Sequence, residues 1–328
     1  MIDIRDNMRL MLEGIMKVKS GQNLVIVSDT YARSKSIANI IAEIANSIGV
    51  QTVLTIMEPR THAGHEPPPT VSIAMRVADV ILDIEEKVNI AHTTARKEAT
   101  EAGVKYFSML TDVSEDHFRN PILLEELKAV KRRTENLAEI MTRARVARLT
   151  TPYGTDITMS LEGRHAVPIH PLTDAGITGI PDYGEAAIAP VEGTTEGVVF
   201  VDAAVRGWGY ILREPLRFEV KEGRVQLGSV SSNSAEDAER FKKELSLDDN
   251  ANNCAAELGI GTSHTVGKIL RGDFLLDYSM IGTAHIAYGR NNDIGGKTLS
   301  RIHTDVLMTR VTIKLDELCV IENGELKE

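Results

Sequence analysis

The chain has 328 residues, a formal net charge of −10 and a composition that is 42% hydrophobic but only 4% aromatic. Two domains or one large one can be built from it. Its acidity opposes a phosphate backbone, and its few aromatics make no stacking platform, so nucleic acid is excluded as a partner. The two cysteines, Cys254 and Cys319, form no CxxC pair, which rules out a thiolate metal cage and fits a reducing cytoplasm. The opening Met-Ile-Asp-Ile-Arg has no apolar run, and no stretch reaches the roughly eighteen apolar residues of a membrane helix. Neither a signal peptide nor a membrane partner is expected.

In chain order, Ile4, Met8, Met11 and Ile15 recur at helical spacing. Residues 24–27 (Leu-Val-Ile-Val) read as a buried parallel strand. Ser28-Asp29-Thr30 then opens a long helix ending near residues 48–49, with Asp29 or Thr30 as its N-cap. A strand follows at 51–56, completing a right-handed βαβ unit. The pattern continues with a helix at 71–76, a strand at 80–82, a helix at 95–102 and a strand at 104–110. No GxGxxG and no Walker lysine occurs, so no nucleotide site is indicated. His62, His65 and Glu66 bracket Pro67-Pro68-Pro69 and read as a solvated loop rather than a ligand pair.

Past residue 145 the texture changes. Short alternating segments at 147–151, 156–161, 197–201, 216–220 and 223–227 replace long helices, interrupted by one helix at 235–245. The fold class is therefore α/β: an open, Rossmann-like α/β domain over residues 1–145, then a β-rich α+β metal-binding domain over 146–328. The basic stretch from Lys131 to Arg143 reads as a solvated helix face at the boundary.

The chemistry gathers in the last third. In Arg301-Ile302-His303-Thr304-Asp305-Val306-Leu307 the strand period of two puts His303 and Asp305 on one face. An N ligand and an O ligand are thereby offered side by side. A second run, residues 282–289, carries His285, and glycine-rich turns accompany Glu185 and Glu257. Three carboxylates buried together require compensation. Two divalent cations and a bridging hydroxide leave Glu185, Glu257 and Asp305 neutral, which suits a two-metal hydrolytic centre. Mixed N/O ligation is compatible with Zn, Co or Mn.

These phrases carry a resemblance: Pro181-Asp182-Tyr183-Gly184-Glu185 followed by residues 189–197 (APVEGTTEG), Ala256-Glu257-Leu258-Gly259-Ile260-Gly261-Thr262, Gly282-Thr283-Ala284-His285-Ile286-Ala287-Tyr288-Gly289, and His303-Thr304-Asp305. The chain resembles the M29 metallopeptidases, the aminopeptidase T and aminopeptidase S group. The resemblance implies metal ligands at Glu185, Glu257, His285, His303 and Asp305, an α/β N-terminal domain, a β-rich catalytic domain and a homodimer. It implies a dinuclear aminopeptidase acting on small peptides, with Glu257 or Glu185 accepting the proton of the attacking water. The place of the family's catalytic tyrosine is held here by Asn292. Tyr288 is the nearby candidate phenol, although three residues from His285 it belongs to the opposite strand face. His92 and Arg96, in a looser matching stretch, are candidate substrate contacts, Arg96 being equally well read as a surface helix charge.

The same superfamily is similar to ring-cleaving dioxygenases of 2,5-dihydroxypyridine that use a single Fe(II). His285, His303 and Asp305 alone form the two-histidine, one-carboxylate set such chemistry needs. The hydrolase is the favoured expectation, because both glutamates are present; the dioxygenase, acting on a small aromatic molecule, is the alternative.

Overall fold

The apolar run at residues 24–27 is the centre of a longer strand, Asn23–Asp29, of whose seven residues six are buried. It pairs in parallel with Gln51–Met57 on one side and Val80–Ile84 on the other. Lys105–Ser108 and Ile177–Gly179 extend the same sheet, also in parallel. The structure, a computed structural model, describes residues 3–62, 64–109, 114–119, 122–172 and 177–327. Leu110, the expected end of the fourth strand, lies outside them. The chain divides into two units, residues 1–131 with 169–183 and residues 132–168 with 184–328.

In the first unit the expected helices appear as Ala32–Ser47, Pro69–Val77 and Thr94–Glu101. Ile37, Ile41 and Ile44 of the first pack on Leu24, Ile26 and Leu82 in one apolar cluster. Burying each such side chain contributes roughly 1.5–3 kcal/mol. Asp29 does not cap by the usual geometry, since the residue before the helix is Tyr31. Its carboxylate instead accepts from Ser34 Oγ, from the Tyr31 amide at 3.2 Å and from the Glu86 amide at 2.9 Å. At the N-terminus the regular periodicity breaks: Ile4–Leu10 is α-helical, but Met11–Ile15 widens into a π-turn around Gly14. Glu66 accepts the free amides of Thr94 and Ala95 at 2.6 and 3.0 Å, holding the N-terminus of Thr94–Glu101. Arg96 is buried, and its Nε donates to the Ala91 carbonyl at 2.6 Å, so it is not a surface helix charge.

The second unit contains an eight-stranded and a six-stranded sheet. The expected alternating segments form antiparallel strands of the first: Val146–Thr150, Asp156–Ser160, Glu196–Val201 and Leu216–Lys221. The last expected strand is cut short at Arg224–Val225 by a 3₁₀ turn over Leu227–Ser229. The six-stranded sheet runs Ala204–Val205, His303–Thr309, Thr283–Gly289, Cys254–Gly261, Glu185–Ile188 and Val167–Ile169 in spatial order. One apolar cluster joins the two sheets: Ile157, Val199, Phe218 and Ile313 from one meet Leu258, Ile286, Val306 and Met308 from the other. Among the described residues no helix is long and apolar enough to cross a membrane.

Candidate metal centre

Four adjacent strands carry the site, and their register explains how. His285 lies opposite Gly259 and Leu307, Glu257 and Asp305 lie on either side of Ala287, His303 is opposite Gly289, and Glu185 opposite Gly261. Side chains alternate along each strand. The apolar partners Ala186, Ile188, Leu258, Ile260, Ile286 and Val306 therefore fill the core, while the five ligand candidates share the other face. Among them stand Gly259, whose missing side chain leaves its space to the His285 ring and the Glu185 carboxylate, and Gly261 and Gly289, which admit the Met280 and Ile302 backbones.

The geometry is close. His285 Nε2 is 3.2 Å from Glu185 Oε1 and 3.9 Å from Glu257 Oε1; His303 Nε2 is 3.2 Å from both Glu257 Oε2 and Asp305 Oδ1. Ligands bound at about 2.0–2.2 Å around one ion are separated by about these distances. Two groups of donor atoms result, Glu185 with Glu257 and His285, and Glu257 with His303 and Asp305, each within 4.8 Å. Glu257 belongs to both. Among the described residues these are the groups that meet this test, and all five members are buried; His62, His65 and Glu66 are not among them.

The surroundings orient the donors. His303 Nδ1 lies 2.7 Å from the Arg290 carbonyl, which can only accept, so Nδ1 carries a hydrogen and Nε2 is the nitrogen left facing the carboxylates, where its lone pair would serve an ion once its proton is displaced. Arg206 Nη1 donates to Asp305 Oδ2 at 3.1 Å, leaving Oδ1 turned to His303. The Tyr278 ring packs beside His285 at 5.2 Å between centroids, and its hydroxyl donates to the Asp305 carbonyl at 3.3 Å. Gly259 is required: a Cβ there would stand 2.1 Å from His285 Nε2 and 2.4 Å from Glu185 Oε1. A sulfur-free set of two imidazoles and three carboxylates fits a divalent cation.

Without an ion, protons hold the cluster together. Burial alone would lower the His285 imidazole, but the Glu185 carboxylate, with Glu257 and Asp305, drives it up to about 10. Burial likewise opposes the charge on His303, and Asp305 and Glu257 outweigh it, raising His303 well above its ordinary value. Burial disfavours the Glu257 carboxylate, yet hydrogen bonds and charge from both imidazoles hold it well below the usual range. Asp305 is held down against its burial by His303 and then by Arg206. For Glu185 burial prevails over His285, and its carboxyl is lifted to about 7.

Tyr288 is not at this centre. Its ring is fully buried in the apolar core, edge-on to Phe218 and Phe241 at 5.6 and 5.7 Å, with the Cys254 thiol close to its hydroxyl. The strand period sends it away from His285, and a catalytic role for it is withdrawn. Asn292 falls beyond the end of the His285 strand at Gly289. His92 is buried in the first unit. Arg206, Tyr278 and the Arg290 carbonyl are the features beside the site that sequence reasoning missed. Arg206 had a signal in the alternation of residues 204–206, but a two-residue strand is too short to announce itself.

A buried, sulfur-free centre for divalent metal, set on an antiparallel sheet of a mixed α/β chain, defines a metal-dependent enzyme. The chain belongs to the NicX family, 2,5-dihydroxypyridine 5,6-dioxygenase, whose family model matches residues 9–328. Among solved structures it is similar to 2,5-dihydroxypyridine dioxygenase from Pseudomonas putida KT2440, with a TM-score of 0.81 and 16% identity over 100% of this chain and 98% of that one. It is also similar to wild-type AmpT from Thermus thermophilus, with a TM-score of 0.70 and 16% identity over 99% of each chain. At such identity these likenesses establish the fold. No curated protein sequence matches. The fold is thus shared with both structures, and the family whose model matches the chain is the dioxygenase one.

Proposed function

We propose that the chain is a ring-cleaving dioxygenase that uses one Fe(II) to open a dihydroxypyridine-like substrate. The observation that carries this reading is membership of the 2,5-dihydroxypyridine 5,6-dioxygenase family over residues 9–328. His285, His303 and Asp305 would hold the iron, with Glu257 between the two imidazoles. Bound there, the iron supplies the site at which dioxygen and the substrate's hydroxyl oxygens are brought together. The chain's own residues do the rest. The Arg290 carbonyl fixes the His303 tautomer, and Arg206 fixes the orientation of Asp305. Glu185, at the far side of His285, is the carboxylate placed to take the proton that a substrate hydroxyl releases on binding. The sheet's apolar far side keeps water from beneath the centre.

One observation favours a second reading. Glu257 belongs to both donor groups, which is the arrangement a carboxylate bridging two metal ions requires, and a dinuclear Zn, Co or Mn hydrolase acting on small peptides would use it so. The two readings separate in one preparation. Elemental analysis of the purified protein is expected to show one iron per chain, and 2,5-dihydroxypyridine is expected to consume one dioxygen per ring opened. Two ions of Zn, Co or Mn per chain, with release of N-terminal residues from peptides and no oxygen uptake, would overturn the dioxygenase.

A further inference from the structure

The second unit holds donor atoms for two ions, and beside them it holds a fixed positive charge. Ala204 pairs with Leu307 and Val205 with Val306. The ladder continues one step, since the Arg206 amide donates to the Asp305 carbonyl at 2.9 Å. Arg206 therefore stands opposite Asp305, and its side chain joins the ligand face. That side chain is only 8% exposed, and its Nη1 contacts Asp305 Oδ2, on a carboxylate 1% exposed, at 3.1 Å. A guanidinium does not deprotonate in a protein. The site thus carries a permanent positive charge from which water cannot screen it.

We propose that Arg206 limits this centre to a single divalent cation, an inference that rests on the mononuclear reading above and specifies what enforces it. The charges decide the matter. Glu185, Glu257 and Asp305 bring three negative charges when ionised, the metal-binding imidazoles none, and Arg206 one positive. A single divalent ion leaves the buried cluster neutral. A second would leave it with two uncompensated positive charges out of water, or one even with a bridging hydroxide, which is the situation buried sites avoid. Without Arg206 one ion leaves a residual negative charge, and Glu185, Glu257 and His285 with Glu257, His303 and Asp305 then offer two sets of donors to a cluster that still attracts cations. The two-cation tally that the sequence supported omitted this arginine. Arg206 is in this sense a specificity-determining residue: it selects between two metal counts, and so between two chemistries, without itself binding metal.

The test is the number of Co(II) ions bound per chain, measured anaerobically by equilibrium dialysis and elemental analysis on the metal-stripped protein. Three variants accompany the wild type. R206M removes the charge and the hydrogen bond. R206Q removes the charge but keeps an amide donor for Asp305. R206K keeps the charge. One Co(II) per chain is expected for the wild type and R206K, and two for R206M and R206Q, with the second ion bound at least tenfold more tightly than any second ion in the wild type. One ion at saturation in R206Q or R206M would overturn the proposal, and so would two in R206K. Two ions in the wild type would instead sink the mononuclear reading itself, whatever the variants do. R206Q guards against a fold defect in R206M, and it separates charge from the simple positioning of Asp305.

Discussion

At the scale of single residues, the site depends as much on what is missing from the sheet as on its ligands. Gly259 lies directly opposite His285, and the space a methyl group would take is occupied by the His285 ring and the Glu185 carboxylate. Neither can retreat, since both are buried and the strands beneath them are packed on the core. Gly259→Ala is therefore expected to weaken metal binding by at least about tenfold, the scale on which disturbed metal surroundings act, while circular dichroism stays that of the folded chain. Metal affinity equal to the wild type would show that the ring and carboxylate have somewhere else to go. That the five candidate side chains gather on one face was legible in the sequence, because alternation places His303 with Asp305, glycines flank Glu257 and His285, and the family resemblance singled out Glu185 with them. Arg206 and the Arg290 carbonyl were not, because each acts through a contact made across strands and neither lies in a recognisable motif. Tyr288 shows the limit in the other direction: proximity in sequence suggested a phenol at the site, and the strand period, applied strictly, denied it.

Elements with a clear pattern were legible almost to their ends. The strand at Asn23–Asp29 and the helix at Ala235–Glu244, with the Ser234 hydroxyl accepting from the Asp237 amide at 3.3 Å, follow from a buried apolar run and an N-cap. Ile177–Gly179 was not legible, because three residues carry no period, and only pairing with Lys105–Ser108 makes them a strand. The strand Val80–Ile84 hides a further feature that composition does not reveal. Asp83 within it and Glu85 just beyond it are fully buried, with Asp29 close by. Tyr106 and Ser108 donate to Asp83, the latter at 3.2 Å. Burial, then the Asp83 and Asp29 charges, push the Glu85 carboxyl well above its ordinary value. An acid whose folded value is raised keeps its proton in the folded state and releases it in the unfolded one. Stability therefore falls as pH rises above the ordinary carboxyl value towards the folded one. Glu85→Gln, which is permanently neutral, is expected to be more stable than the wild type at pH 8 by about 1–3 kcal/mol, the cost of a buried polar group imperfectly satisfied, and to lose that advantage by pH 4. Urea denaturation at the two pH values reads this directly; an equal difference at both would mean that Glu85 is not the titrating group.

For the whole molecule, metal and protons compete for one buried cluster, and the shifts that burial and neighbouring charges impose on its groups set the terms of that competition. In the metal-free protein His285 is raised to about 10. A raised imidazole contributes stability that is complete below its unfolded value near 6.5 and is lost as pH climbs through the folded value. Glu257 and Asp305 are lowered, so their contribution is present above the ordinary carboxylate range and is lost only in strong acid. Glu185, raised to about 7, keeps its proton only in the folded state above the ordinary carboxyl value, so the metal-free chain is expected to weaken first between that value and about pH 7, and then from about pH 7 to pH 10 as the imidazoles lose their protons. Binding a divalent ion must displace the imidazole protons, so metal affinity should rise with pH over the same interval, by about tenfold per unit for each proton released. At a metal concentration of a hundred times Kd the stabilisation is about 2.7 kcal/mol, a rise in melting temperature of about 4 °C for a chain of 328 residues. Since affinity grows where the metal-free protein weakens, the gap between the metal-loaded and chelator-treated melting temperatures should widen from pH 6 to pH 9 at fixed metal. A gap that stays constant or narrows would mean that the imidazoles are already neutral before the ion arrives, and that the carboxylates around them are not charged as their neighbours dictate.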